Sequence, residues 1–192
     1  MLDKSVPHFD VMMARKQGTP IPEIKLPSGY KFTFFKLGDE KDWAIIETSV
    51  LEFPNEIDAL LYFQRQYLSY ISELEKRCLF IENAQGEKVA TCTGWWDYNG
   101  VKRHPTVHWC AVKPEYQGLG LGKAIVAKIT QLMVDIEGDI DMYLHTQTGS
   151  HKAIKLYEMV GYEITDEKNL FRWTNENYDK AMDVLKQIYT GK

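Results

Sequence analysis

Cysteine is scarce in this chain. Cys78, Cys92 and Cys110 are odd in number, widely spaced and form no Cys-x-x-Cys. That argues against a disulfide framework and a zinc knuckle, and fits a reducing compartment. A basic surplus is also missing: 23 Lys and Arg face 27 Asp and Glu, for a net charge of −4. Duplex-binding domains carry an excess of positive charge to neutralise phosphates, so nucleic acid is not expected as a partner. No apolar stretch approaches the roughly 20 residues that cross a bilayer. The polar opening Met1-Leu2-Asp3-Lys4 does not read as a secretory leader. A soluble, cytoplasmic protein with no membrane partner is expected. Metal-ligand spacing is lacking too. Pro105 separates His104 from His108 in an extended segment, and His145 and His151 have no third ligand, so no metal is expected. The 192 residues, 44% of them hydrophobic, suffice for one domain with a sizeable core.

Proline is concentrated at the start: Pro7, Pro20, Pro22 and Pro27 precede residue 30. The expected organisation is a proline-containing N-terminal arm over 1–29, with Val11, Met12, Met13 and Ala14 docking on the body, and a domain over 30–192. Aromatic and β-branched content predicts a strand over 30–35. Helices are predicted over 39–51 and from an Asn55 N-cap, the second with Ile57, Leu60, Leu61, Gln64, Leu68, Ile71 and Glu75 on one stripe. Strands are expected over 79–81, 88–97 and 105–112, the last two joined by an Asn99-Gly100 hairpin turn in which both residues take positive φ. A glycine-rich turn over 117–122 then leads into a helix carrying Ile125, Ile129, Leu132, Met133 and Ile136. A strand over 141–146 precedes a helix capped by Ser150 and stopped at Gly161. Strands near 162–164 and 170–173 and an amphipathic helix with Tyr178, Ala181, Met182, Leu185, Ile188 and Tyr189 complete the chain. This mixture indicates an α/β or α+β layer fold around one sheet. The last helix either covers that sheet or joins a two-fold partner, making the protein a monomer or homodimer.

The segment most informative about chemistry is Val112-Lys113-Pro114-Glu115-Tyr116-Gln117-Gly118-Leu119-Gly120-Leu121-Gly122-Lys123. A strand ends, glycines let the backbone approach a ligand, and the free N–H groups of a new helix favour an anion such as phosphate. Lys123 would add a counter-charge. The dinucleotide fingerprint fails, because its last position falls on Lys123 or Ile125. A Walker A loop fails as well, since Gln117 stands where its first glycine belongs and Ala124 where its Ser or Thr belongs.

Gln117-x-x-Gly120-x-Gly122 does match the Gln/Arg-x-x-Gly-x-Gly/Ala pattern of acetyl-CoA binding in the GNAT superfamily of N-acetyltransferases. Downstream, Ser150-x-x-Ala153-x-x-Leu156-Tyr157-x-x-x-Gly161-Tyr162 resembles that family's Asn-x-x-Ala-x-x-Leu-Tyr-x-x-x-Gly-Phe segment, with Ser150 in place of the usual Asn. The resemblance implies a mostly antiparallel twisted sheet of about seven strands, splayed between the fourth and fifth. It implies that Gln117, Gly118, Leu119, Gly120, Leu121, Gly122 and Lys123 hold the pyrophosphate of acetyl-CoA. It also implies that Cys110, Ala111, Val112 and Ser150 border its pantetheine arm. The implied reaction is direct attack by an amine through a tetrahedral intermediate, with Tyr157 as general acid and His108 or His145 as base. Trp43, Phe53, Tyr62, Trp95, Trp96 and Tyr98 are expected to wall the acceptor pocket, and Glu52 or Asp97 to hold a cationic amine. A small-molecule amine is the expected acceptor; a protein N-terminus or lysine, or a non-catalytic CoA-binding or partner-binding module, are the alternatives.

Overall fold

The computed structural model describes residues 2–171 and 173–191. Seven strands form the main sheet: β1 (Asp10–Arg15), β2 (Lys31–Phe34), β3 (Cys78–Glu82), β4 (Lys88–Asn99), β5 (Lys102–Val112), β6 (Met142–Gln147) and β7 (Glu163–Ile164). Their spatial order is β2-β3-β4-β5-β6-β1-β7, and every neighbouring pair is antiparallel except β5 and β6. Helices α1 (Glu40–Ser49), α2 (Glu56–Tyr67), α3 (Ile71–Arg77), α4 (Leu121–Glu137), α5 (His151–Glu158) and α6 (Tyr178–Thr190) flank it. The expected mixed α/β class and mostly antiparallel seven-stranded sheet are thus observed. Among the described residues, no helix is long and apolar enough to cross a membrane.

The period-two alternation of β3 shows how the sheet divides two cores. Leu79 and Ile81 pack with Ile125, Ile129 and Met133 of α4. Cys78 and Phe80 face the other way, toward Trp43 and Ile46 of α1 and Phe63 and Tyr67 of α2. At Gly94 the layers come so close that an added Cβ would lie 2.7 Å from Met133 Cγ.

The parallel pair is the shortest contact in the middle of the sheet. Only Thr106 with Tyr143 and Val107 with Leu144 are in register before the strands part. The edge of β5 beyond Val107 therefore has no strand partner on that side, which is the splay expected between the fourth and fifth strands of the family pattern.

Several local expectations need correction. The segment expected to dock as an arm enters the sheet as β1, between β6 and β7, with Met12 opposite His145. Its alternation is obscured because Val11 and Met13 join the main core while Met12 and Ala14 pack on Tyr143. In α2 the buried face is Ala59, Phe63 and Tyr67, whereas Ile57 and Leu61 of the expected stripe are exposed. A 3-10 turn over Leu68–Tyr70 then breaks the helix and resets its phase for α3. Asn55 does cap α2, its side chain accepting from the Asp58 amide at 2.9 Å. The β4–β5 turn lies one residue later than expected: Asn99 pairs with Lys102, so the loop is Gly100-Val101, and of these only Gly100 has positive φ. Near 170–173 there is a separate hairpin, β8 (Asn169–Leu170) and β9 (Trp173–Thr174), in place of one strand, with Arg172 outside the described residues. Acids at and beyond the end of α4 make structural ties. Asp139 accepts from Arg15 and the Gly18 amide, Asp141 from Lys16 and the Gln17 amide, and Glu137 pairs with Arg77 and Arg103.

The Asp139 and Asp141 ties hold the turn after β1 against the segment that follows α4, and the same turn packs on the chain just past α5. Gly161 there has φ +91, and an added Cβ would meet Thr19 Cγ2 at 2.4 Å. Left-handed strain and overpacking act together at this position. Gly161→Ala is expected to destabilise the fold by about 1–3 kcal/mol, read as a lower urea midpoint with an unchanged slope.

Candidate active site

The splay opens a cleft whose floor is the end of β5. Beyond Val112, a short 3-10 turn over Pro114–Tyr116 and the glycine loop carry the chain into α4. Gln117 Nε2 donates to the Val112 carbonyl at 2.9 Å and closes the loop on the strand it leaves. Gly118 and Gly120 have φ of +82 and +84, a region closed to most side chains. The first intrahelical bond of α4 runs from the Ala124 amide to the Gly120 carbonyl. The Leu121, Gly122 and Lys123 amides therefore start the helix without an intrahelical acceptor, at the positive end of its dipole. Gly122 matters for packing instead, since an added Cβ would sit 2.8 Å from Leu156 Cδ1; its bareness lets α5 approach α4. A cleft of about 290 Å³ runs along these residues, bordered also by Ala111, Val112, Ser150, Lys152 and Tyr157. Leu119 is exposed and does not border it. Ser150 stands at the N-cap position of α5, but its side chain makes no capping bond.

A second chamber of about 240 Å³ continues from the first, the two sharing Glu52, Cys110, Ser150, Ala153 and Tyr157. A β-bulge shapes the junction. Thr91 pairs with Ala111 and Thr93 with His108, so Cys92 faces two residues, and Trp109 is left at φ +48. Tyr157 is 7% exposed at this junction, and burial holds its phenol well above the usual range.

His108 and His145 both line the second chamber. Both ring nitrogens of His108 have polar neighbours, the Tyr67 hydroxyl at 3.1 Å and Thr106 Oγ1 at 3.0 Å. His145 Nε2 lies 2.9 Å from Asp10 Oδ1. An ionised carboxylate only accepts, so Nε2 carries the proton and Nδ1 the lone pair of the neutral ring. The partner comes from β1, whose Asp10, Met12 and Ala14 share a face with Gln147, His145 and Tyr143 of β6.

The fold brings the expected motifs together around one cleft, and comparison with known proteins decides the family. The family model for the acetyltransferase (GNAT) family matches residues 43–162. The chain belongs to that family. A GCN5-related N-acetyltransferase from Sphaerobacter thermophilus is similar, with TM-score 0.64, 19% identity, and coverage of 83% of this chain and 49% of that one. A GNAT-family acetyltransferase from Colwellia psychrerythraea gives TM-score 0.60 at 11% identity, covering 83% and 54%. A GCN5-related N-acetyltransferase from Kribbella flavida gives 0.55 at 17%, covering 82% and 56%. The chain thus spans about half the length of these solved structures, which at such identities share its fold. A search of curated proteins finds no match.

Within this GNAT fold the expected acceptor residues divide. Glu52 and Tyr62 line the second chamber, while Trp43 and Phe53 pack behind Tyr62 and Trp109. Trp95, Trp96, Tyr98 and Asp97 line neither chamber. Their strand is right, but the hairpin extends past the site and places Asp97 opposite His104. Sequence reasoning missed Asp10, His8, Lys152 and Glu47. Asp10 and His8 lie in a segment that reads as an arm, and Glu47 reads as an ordinary polar residue of an amphipathic helix. Gly120→Ala is expected to cost about 1–2 kcal/mol from backbone strain alone, because nothing lies near the added Cβ. Gly122→Ala, whose close contact is with the flexible end of Leu156 and which touches Val112 at an ordinary 3.8 Å, should cost less; denaturation of the two variants checks the order.

Proposed function

We propose that this GNAT chain transfers the acetyl group of acetyl-CoA to a primary amine of a small molecule. What carries the reading is the joining of two chambers at Tyr157 and Cys110, one ending on a glycine-loop helix terminus and the other enclosed by aromatic and acidic side chains. Acetyl-CoA, when bound, supplies the acyl group as a thioester. Its fit rests on the left-handed Gly118 and Gly120, the unpartnered amides at the start of α4, Lys123 and Lys152 beside them, and the open edge of β5 over residues 108–112. Polar backbone on that edge suits an extended amide-bearing chain. The second chamber is at the small end for a ligand pocket, which favours a small acceptor over a folded protein's terminus.

Two protons must move when an N–C bond forms and a C–S bond breaks. The ammonium loses one to become nucleophilic, and the departing thiolate gains one. His145 takes the first at Nδ1, its ring oriented by Asp10. Tyr157 gives the second, since its raised pKa keeps it protonated and able to donate as charge develops on sulfur. Asp10 is a positioning residue, acting through the imidazole.

Thiol release with a panel of amines tests the activity directly. Tyr157→Phe is expected to lower kcat tenfold or more while calorimetric acetyl-CoA affinity stays within about twofold. Asp10→Asn should lower kcat with little change in KM and displace the acid limb of the pH–rate profile, a change that loss of packing alone would not produce. Absence of acetyl-CoA binding at micromolar levels overturns the proposal.

A further inference from the structure

Two acidic side chains in the acceptor chamber, Glu47 and Glu52, are used by neither proton transfer. Glu47, near the end of α1, lines the chamber at 1% exposure, and its Oε1 is buried with no hydrogen-bond partner. A buried polar atom left unpaired costs stability, and a buried carboxyl more than most. The local fold makes that cost larger. The Glu52 amide donates to the Glu47 carbonyl across a tight turn that holds Leu51 at φ +73, and both acids line the same chamber. Like charges brought together on a strained turn are what packing alone would avoid. Burial, and then the neighbouring Glu52, push the Glu47 carboxyl well above the usual range, as expected for an acid awaiting a cation.

The walls carry the same signature. Tyr62 and Trp109 line the chamber with ring centroids 5.0 Å apart, and Trp109 Nε1 donates to the Tyr62 hydroxyl at 3.2 Å, fixing both rings. Aromatic faces beside a carboxylate suit an organic cation. Among the described residues, no Lys or Arg lines this chamber; its other titratable groups are His8, His108, His145, Cys110, Tyr62, Tyr157 and Glu52. A carboxylate on the acceptor would meet, among the described residues, no lysine or arginine there, only imidazoles, and it would face two acids.

We infer that Glu47 is the counter-ion of the acceptor's ammonium group, and that the acceptors are cationic amines with a slender apolar body, not amino acids or peptides that carry a carboxylate near the nitrogen. The inference rests on reading this chamber as the acceptor site, and it adds a specificity-determining residue and a substrate class to that reading.

Choline and its neutral carbon isostere, 3,3-dimethylbutan-1-ol, separate the charge requirement from turnover, because neither has a nitrogen that can be acetylated. Both are titrated into the wild-type full chain and followed by ligand-observed NMR. Choline is expected to bind at least tenfold more tightly, and Glu47→Gln to reduce the preference to about twofold or less while the isostere's affinity is kept. Equal or undetectable binding of the two probes to the wild type overturns the inference without reliance on any variant. So does a preference that survives Glu47→Gln, with folding of that variant checked by near-UV circular dichroism. In the thiol-release assay, amines should outpace the matching α-amino acids at least tenfold in kcat/KM. If no amine is acetylated but the choline preference holds, the proposed activity fails and the cation site stands. If amines are acetylated and no preference for the cation is seen, the cation site fails and the activity stands.

Discussion

β5 and β6 share only two paired positions, Thr106 with Tyr143 and Val107 with Leu144, and the gap beyond them governs the rest of the molecule. Parallel neighbours that stayed in register would fill the sheet's centre with backbone hydrogen bonds. Divergence instead leaves the edge of β5 open, lets α5 lie across the gap, and places Tyr157 between two connected cavities. The separation is maintained from both sides. α4 and α5 meet closely because Gly122 has no side chain, and β6 is braced on its far edge by six paired positions with β1.

Backbone strain gathers around this gap. The non-glycine residues of positive φ among those described are Leu51, Trp109 and Phe171. Trp109 and Phe171 line the second chamber, and Leu51 stands in the turn that places Glu52 beside Glu47. Each such residue costs on the order of 1 kcal/mol or more and persists only where surrounding packing holds it. For Trp109 that packing is its cluster with Trp43, Phe53 and Tyr62, with centroid separations of 5.0 to 6.3 Å, and for Phe171 it is Tyr143 and His104. Rigid rings beneath the chamber therefore stabilise a floor that the backbone alone would not adopt.

Local chemistry makes the donor side legible from the sequence, because its features are short-range. Glycines at 118, 120 and 122, Gln117 five residues after Val112, and the 3.6-residue periodicity of α4 each act within a turn or two. The second chamber depends on long-range pairing. Asp10 meets His145 only because an N-terminal strand inserts between β6 and β7, and nothing in its local pattern specifies that neighbour. Glu47 is illegible for a related reason: its significance is the absence of a partner, which no periodicity encodes. In α2 the exposed Ile57 and Leu61 mimic a core stripe, so pattern alone selects the wrong face until the packing of Phe63 and Tyr67 decides it.

The placement of β1 also orders events in time. Its hydrogen-bonded neighbours are residues 142–147 and 163–164, so a chain emerging from its N-terminus must hold the hydrophobic run Val11-Met12-Met13 unpaired until most of the polypeptide exists. Pairings so distant along the chain pay their loop-closure entropy before any contact rewards it, and they form late. The Asp10–His145 contact belongs to that last step. Completion of the sheet and of the imidazole's orientation thus coincide, and a partly folded molecule would own the glycine loop without yet owning the proposed proton acceptor.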